Sequence, residues 1–359
     1  MTIHNIEFDG STDLSAMPRR EFLTRMVSLA AAILLPGCAS MDQTPAIAGS
    51  SRYRIDIHHH AFPPDYVAEL RTRKLANTFV SNWSVARTLD DMDKAGVATS
   101  ILSVSNPGVA FADAPTARRL ARSCNEYVAR LILDYPGRFG SFALLPVQDI
   151  DGSLHEMEYA LDVLKADGIC LFTNYGDKWL GHQSFAPIME ELNRRKAVLY
   201  THPAVAKCCG NLLPDVPARV IELGTDTTRT ITDIVISGTA ARCPNIRFIF
   251  SHGGGTLPFL AERLVKMPVF DASLLPRIPN GIMHELQRFY YDTAWIANPG
   301  PLASLTKLVS VSQILFGSDY PYMEGEEQVV GLIEYGFSVS NLRAIDRDNA
   351  LRLLPRLRA

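Results

Sequence analysis

The sequence predicts a (β/α)8 barrel, an α/β fold of the TIM-barrel type. Three observations carry this. Short β-branched or apolar runs recur along the chain, longer amphipathic stretches separate them, and several runs end in His or Asp. Strands alternating with helical patterns mean βαβ units and a parallel sheet. Eight such units favour a closed barrel over an open doubly wound sheet. The open sheet would need a nucleotide loop. Gly253-Gly254-Gly255 follows a strand but sits in neither a G-x-G-x-x-G nor a Walker frame.

The eight predicted strands are Tyr53–His60, Val97–Val104, Phe139–Pro146, Gly168–Thr173, Ala197–His202, Arg247–His252, Phe289–Trp295 and Ile314–Asp319. Helical stretches include Ala114–Tyr135, Ser153–Ala166, Phe185–Arg195 and Arg219–Arg242. Residues 61–94 are too long for an ordinary loop and helix, so they predict a cap over the barrel mouth after the first strand. Residues 267–284, with Pro268, Pro276 and Pro279, read as a second excursion that shapes the pocket. Ser340–Ala359 predicts one closing C-terminal helix.

The 359 residues allow two ordinary domains, or one barrel with attachments. Hydrophobic content of 47% against 20% charged is a globular balance, which excludes disorder and small disulfide scaffolds. A net charge of −3 without a basic run argues against a nucleic-acid partner.

Residues 1–51 read as an export signal and tether, and 52–359 as the barrel. Arg19-Arg20, then Phe22-Leu23, precede an apolar run from Met26 to Leu35. That run is too short for a membrane span, which takes about 20 residues. It suits a signal of the twin-arginine type. Leu35-Pro36-Gly37-Cys38 resembles a lipoprotein cleavage box, so Cys38 is a candidate for acylation and a membrane anchor. The expected location is therefore exported, periplasmic or membrane-tethered. Five further cysteines stand at 124, 170, 208, 209 and 243, with no CxxC. Most read as buried small hydrophobes. An oxidising compartment leaves room for a disulfide.

Chemistry concentrates at strand ends. His58 and His60 end the first strand, His202 the fifth, His252 the sixth and Asp319 the eighth. In a barrel these ends converge on one mouth. Side chains two apart on a strand share a face. Asp56, His58 and His60 should therefore point one way, and Ile55, Ile57 and His59 the other. Two imidazoles on one face, a third His and a carboxylate make a mixed N/O set for one divalent cation, zinc or manganese. The fourth strand has no lysine to be carboxylated, so one metal is expected rather than two. His182, in the loop after the fourth strand, and Trp295, at the end of the seventh, are candidates to line the substrate. His4, His155 and His284 read as surface residues.

The segments Asp56-Ile57-His58-His59-His60, Tyr200-Thr201-His202-Pro203, Ser251-His252-Gly253-Gly254-Gly255 and Phe316-Gly317-Ser318-Asp319-Tyr320-Pro321 occur in this order. Together they resemble the amidohydrolase-2 branch typified by aminocarboxymuconate-semialdehyde decarboxylase. Leu171-Phe172-Thr173-Asn174-Tyr175-Gly176 looks closest to its methylsalicylate type. The resemblance runs from about Arg52 to the end. It implies a mononuclear metal barrel that removes CO2 with no organic cofactor. It implies His58, His60, His202 and Asp319 as metal ligands and His252 as general acid/base. It also implies that Arg263 binds substrate carboxylate across a homodimer interface. A second substrate arginine of the muconate enzyme has no match near Ala76, which points to a simpler phenolic acid as substrate. The residues alone leave His252, Asp319 and a metal-bound water open as proton source. The alternative activity is a metal-dependent hydrolase, such as a lactonase. A third reading is a non-catalytic binding lipoprotein.

Overall fold

The computed structural model describes residues 52–358, apart from 177 and 211. Eight parallel strands follow one another in sheet order: β1 Arg54–His60, β2 Val97–Ser103, β3 Phe139–Leu144, β4 Gly168–Phe172, β5 Val198–His202, β6 Arg247–Phe250, β7 Tyr290–Asp292 and β8 Ile314–Leu315. Each lies within its predicted run. β8 closes back onto β1 through the backbone: Ile57 N–H donates to the Phe316 carbonyl, Asp319 N–H to that of His58, and His60 N–H to that of Tyr320. The last two strands are much shorter than their runs. Past Asp292 and Leu315 side-chain bonds, such as that from Gly317 N–H to Thr293 Oγ1, take over part of the pairing between these two strands.

The barrel is buried on both faces, as a parallel sheet under helices must be. Its interior holds Ile55, Ile57, Phe142, Cys170, Tyr200 and Leu315. The outer layer packs Ile169, Leu199, Phe248, Phe250 and Tyr291 against the helices. Residues Ala350, Leu353 and Leu354 join the interior cluster and cover the floor. The predicted closing helix is present as one continuous run: Val339–Arg343, a π-type turn Ala344–Asp348 and Asn349–Leu353 follow without a break. It stops before Pro355, which cannot continue a helix, and so ends short of the predicted Ala359.

One predicted excursion is narrowed and the other corrected. Only the front of 61–94 is extra: the short helices Pro64–Thr72 and Thr78–Asn82 stand beside the mouth, where Phe79 packs on Tyr322 with ring centroids 5.1 Å apart. Val85–Lys94 is the ordinary crossover helix into β2. The 267–284 segment does not shape the mouth. Its 3-10 run Ala272–Arg277 lies against Gly238, just past the C-terminal end of the helix Ala218–Ile236, on the floor side. Cys208 and Cys209 form a vicinal disulfide in the loop after β5, while Cys124, Cys170 and Cys243 are free and buried.

Candidate metal centre

β1 departs from the simple alternation. Asp56 opposes Ser100 and His59 opposes Leu102, so three steps on β1 face two on β2. This is a β-bulge, which re-aims side chains at strand ends. Its effect overturns the predicted facing. Ile55 and Ile57 join the barrel interior, and past the bulge His58 and His60 do too. Asp56 and His59 are left together on the outer side. There the Asp56 carboxylate accepts from His59 Nδ1 at 3.0 Å and from Ser318 Oγ at 2.6 Å, and the His59 ring stacks on Tyr320 at 4.9 Å. His59 does face away from the other two histidines, as expected, but by a different route.

His58, His60, His202 and Asp319 each bring one ligand atom into a cluster spanning no more than 4.8 Å, all four buried. Asp319 Oδ1 lies 2.9 Å from His58 Nε2, 2.9 Å from His60 Nε2 and 3.9 Å from His202 Nε2. The His58 Nε2 and His202 Nε2 atoms are buried without a hydrogen-bond partner. Buried polar nitrogens left so are costly, and a cation would satisfy both. The residues therefore fit one divalent metal ion. Electrostatics agree. Burial alone would lower the His58 imidazole, but the Asp319 and Asp292 charges outweigh it and push it up to about 10. His202 is lowered to about 3, chiefly by burial. Asp319 is buried, which disfavours its charge, yet the His58 cation and the close ring nitrogens of His202, His252 and His58 hold it well below the usual carboxylate range. One proton on His58 thus stands where a cation's charge would act.

His252 follows β6 and takes φ +53, Asp319 takes +66 and Trp295 +62. Such φ values are uncommon for residues with a Cβ, and strain of this kind gathers at functional sites. The glycines after His252 explain the turn. A Cβ on Gly255 would run into the Gly224 carbonyl. His252 stacks on His58 at 5.1 Å, and its Nε2 lies 3.4 Å from Asp319 Oδ2. It also walls a cavity of about 250 Å³ with Gly253, Phe259, Ile296 and Pro301.

The other candidates fare unevenly. Trp295 reaches the cluster, but as a donor to Asp319 Oδ2 at 2.6 Å. Its expected role as substrate wall rests only on its half-exposed ring. His182 does not line the site. Its Nδ1 accepts from the Ser184 N–H and caps a short 3-10 turn. Arg263 is exposed on the helix Leu257–Val265 and, among the described residues, makes no hydrogen bond or ion pair, so it does not reach its own chain's cluster. His155 and His284 are exposed. His4 and Cys38, with the whole signal, lie outside the described residues.

Sequence reasoning missed Asp292. It ends β7 and is fully buried. Its Oδ2 accepts from His58 Nδ1 at 2.9 Å, and its Oδ1 from the His252 N–H at 2.8 Å. The first bond ties down His58 Nδ1 and turns Nε2 toward the cluster, the usual orientation of a metal-binding imidazole. The predicted run Phe289–Trp295 places Asp292 in mid-strand, and only the early end of β7 at Asp292 reveals it as a strand-end acid like Asp319.

Comparison with known proteins identifies the family. The model of the amidohydrolase family matches residues 55–356. A decarboxylase, yanB, of Aspergillus niger is 39% identical over 84% of this chain and 88% of its own. The 6-methylsalicylic acid decarboxylase acuB of Aspergillus aculeatus is 34% identical over 85% of this chain and 97% of its own. Among solved structures, an amidohydrolase II shares 27% identity with a TM-score of 0.77, covering 84% of this chain and 99% of that one. A dihydroxybenzoic acid decarboxylase from Polaromonas, solved with bound manganese, has a TM-score of 0.74 at 21% identity, covering 86% and 98%. A family match across nearly all of the described residues, on a barrel whose strand ends converge as these do, places the chain in the amidohydrolase family.

Proposed function

We propose that this chain is a metal-dependent, non-oxidative decarboxylase of a small aromatic carboxylic acid, with a phenolic acid as substrate. The observation that carries this reading is the buried three-histidine, one-carboxylate cluster with a fourth histidine beside it. The decarboxylase relatives support it. His58, His60, His202 and Asp319 would hold one divalent cation, and no organic cofactor is needed. A mixed N/O set suits zinc or manganese, and the manganese in the Polaromonas structure supports the latter. Bound there, the cation would supply positive charge toward the substrate's carboxylate.

The chain's own residues account for the proton. The ring carbon bearing the carboxylate must gain a proton as the C–C bond breaks. The electron pair of that bond returns to the ring, and CO2 leaves. His252 stands at the cavity wall with its ring beside the cluster, and an imidazole gives and takes protons near neutrality. Asp319, held ionised by its neighbours, is the poorer donor. Asp292 fixes the His252 backbone, and so its position.

The test is a CO2-release screen over hydroxybenzoates, with metal analysis of the purified protein. A new acid group without CO2 would favour the hydrolase reading. His252→Asn should keep the metal and lose about 10²–10⁴-fold in kcat, the ordinary worth of general acid/base catalysis. It should also lose deuterium incorporation at the product ring carbon. Incorporation at the wild-type rate would move the donor to Asp319 or a water.

Export and lipidation are proposed on Arg19-Arg20 and Cys38. Changing both arginines to Lys should hold the protein in the cytoplasm, and normal export would argue for another route. A homodimer is proposed as well. Phe259, Val269 and Phe270, each more than four-fifths exposed, support it. Arg263, four residues beyond Phe259 on the same helix, would then serve the partner's cavity. A monomer by sedimentation would remove that role.

A further inference from the structure

We propose that Trp295 is a positioning residue for Asp319, fixing which carboxylate oxygen faces the cation; the proposal rests on the metal-ligand reading of Asp319. The two oxygens have different surroundings. Oδ1 is the atom nearest His58 and His60, at 2.9 Å from each. Oδ2 turns away, 3.4 Å from His252 Nε2 and 2.6 Å from the Trp295 indole nitrogen. An indole N–H can only donate. A short bond from it to a carboxylate is charge-assisted, favours the ionised form and holds one orientation. The carboxylate is thereby prevented from swinging Oδ2 into the cluster, and Oδ1 is left for the cation.

The placement is local. β7 ends at Asp292, and the chain turns through Thr293 and Ala294 to Trp295. The turn is tied by the Ala294 N–H to Asp292 Oδ1 at 3.1 Å and the Ile296 N–H to the Thr293 carbonyl at 3.1 Å. Trp295 then adopts φ +62, which an aromatic residue rarely does. One short turn thus offers an acceptor to His58 and a donor to Asp319. Trp295 remains 47% exposed, so burial of apolar surface does not account for the strained backbone. The bond to Asp319 does.

If Trp295 were only a substrate wall, its removal would raise KM and leave the metal alone. Trp295→Phe keeps the ring and deletes the N–H. Apo protein of each form is titrated calorimetrically with Mn2+, without substrate. Loss of a partner that orients a ligand typically weakens metal affinity 10–100-fold, and that is the result expected. Equal Mn2+ affinity overturns the Trp295 role alone. Absence of Mn2+ binding to the wild type overturns the ligand reading and this role with it. Should Trp295→Phe fail to fold, the wild type still decides. The chain has three tryptophans. In protein labelled with 15N-tryptophan, one indole N–H resonance should shift on Zn2+ addition, and if none moves the proposal is wrong.

Discussion

His59 and Asp292 show what single residues do without being ligands. His59 has no exposure. It lies between two cluster histidines in sequence, yet its side chain makes no hydrogen bond to either. Its bonds run to Asp56 and its stacking to Tyr320, next to Asp319. His59→Ala should therefore leave one metal per chain while lowering stability by about 1–3 kcal/mol, the cost of stranding a buried polar partner. A melting curve on apo protein checks this, and an unchanged midpoint refutes it. Asp292→Asn should do the reverse. Its Oδ1 can still accept from the His252 N–H, but an amide nitrogen would then face His58 Nδ1 and force the proton onto Nε2. Metal affinity should fall about 10–100-fold with the fold intact, and calorimetry giving the wild-type affinity would refute that account. Both residues were on the page as letters. What was not legible is the bulge, because parity arguments assume an unbroken pleat.

At the level of elements, the strands were readable because burial on both faces demands continuous apolar runs. The strand ends were less so, since side-chain bonds such as Thr293 to Gly317 take over part of the pairing there. The 267–284 segment was assigned to the wrong end of the barrel, because composition does not say which rim a loop leaves from. One helix contact offers a titration test. Asp91, on the helix Val85–Lys94, accepts from the Gly325 N–H at 3.0 Å. Burial pushes its carboxyl up from 3.8 to about 6, against the partial relief of His59 and that N–H. Below about pH 4 both folded and unfolded forms are protonated, so the shift has no effect. Between about 4 and 6 the unfolded chain ionises first, and above that the folded protein carries the full penalty. Asp91→Asn, whose carbonyl keeps the Gly325 bond, should stabilise by about 2–3 kcal/mol at pH 7–8 and by nothing near pH 4. A gain that is flat across pH would show that charge is not the cause.

For the whole molecule, the cation and a proton compete for one cluster. His58 is held protonated up to about 10 by two carboxylates. The stability it lends the metal-free protein is complete below the unfolded value near 6.5 and is lost as pH rises through about 10. Metal binding must displace that proton. Calorimetry in buffers of different ionisation enthalpy should show close to one proton released at pH 7–8, and no buffer dependence would contradict the charge assignment. At a hundredfold excess over Kd the metal should stabilise the fold by about 2.7 kcal/mol. The midpoint should drop on chelation and return on adding Mn2+.

The bulge in β1 also bears on how such a chain can change over time. Side-chain facing has a period of two only in an unbroken pleat. Ile57 and His58 both face the interior across the bulge, so deleting Ile57 would restore plain alternation, with Ile55, His58 and His60 inward and Asp56 and His59 outward. Both imidazoles would stay inside the barrel but stand about 3.3 Å nearer its floor, out of step with His202 and Asp319. Point substitutions can erode this centre one ligand at a time, whereas a single codon lost between Asp56 and His59 would draw two ligands away from the other two at once.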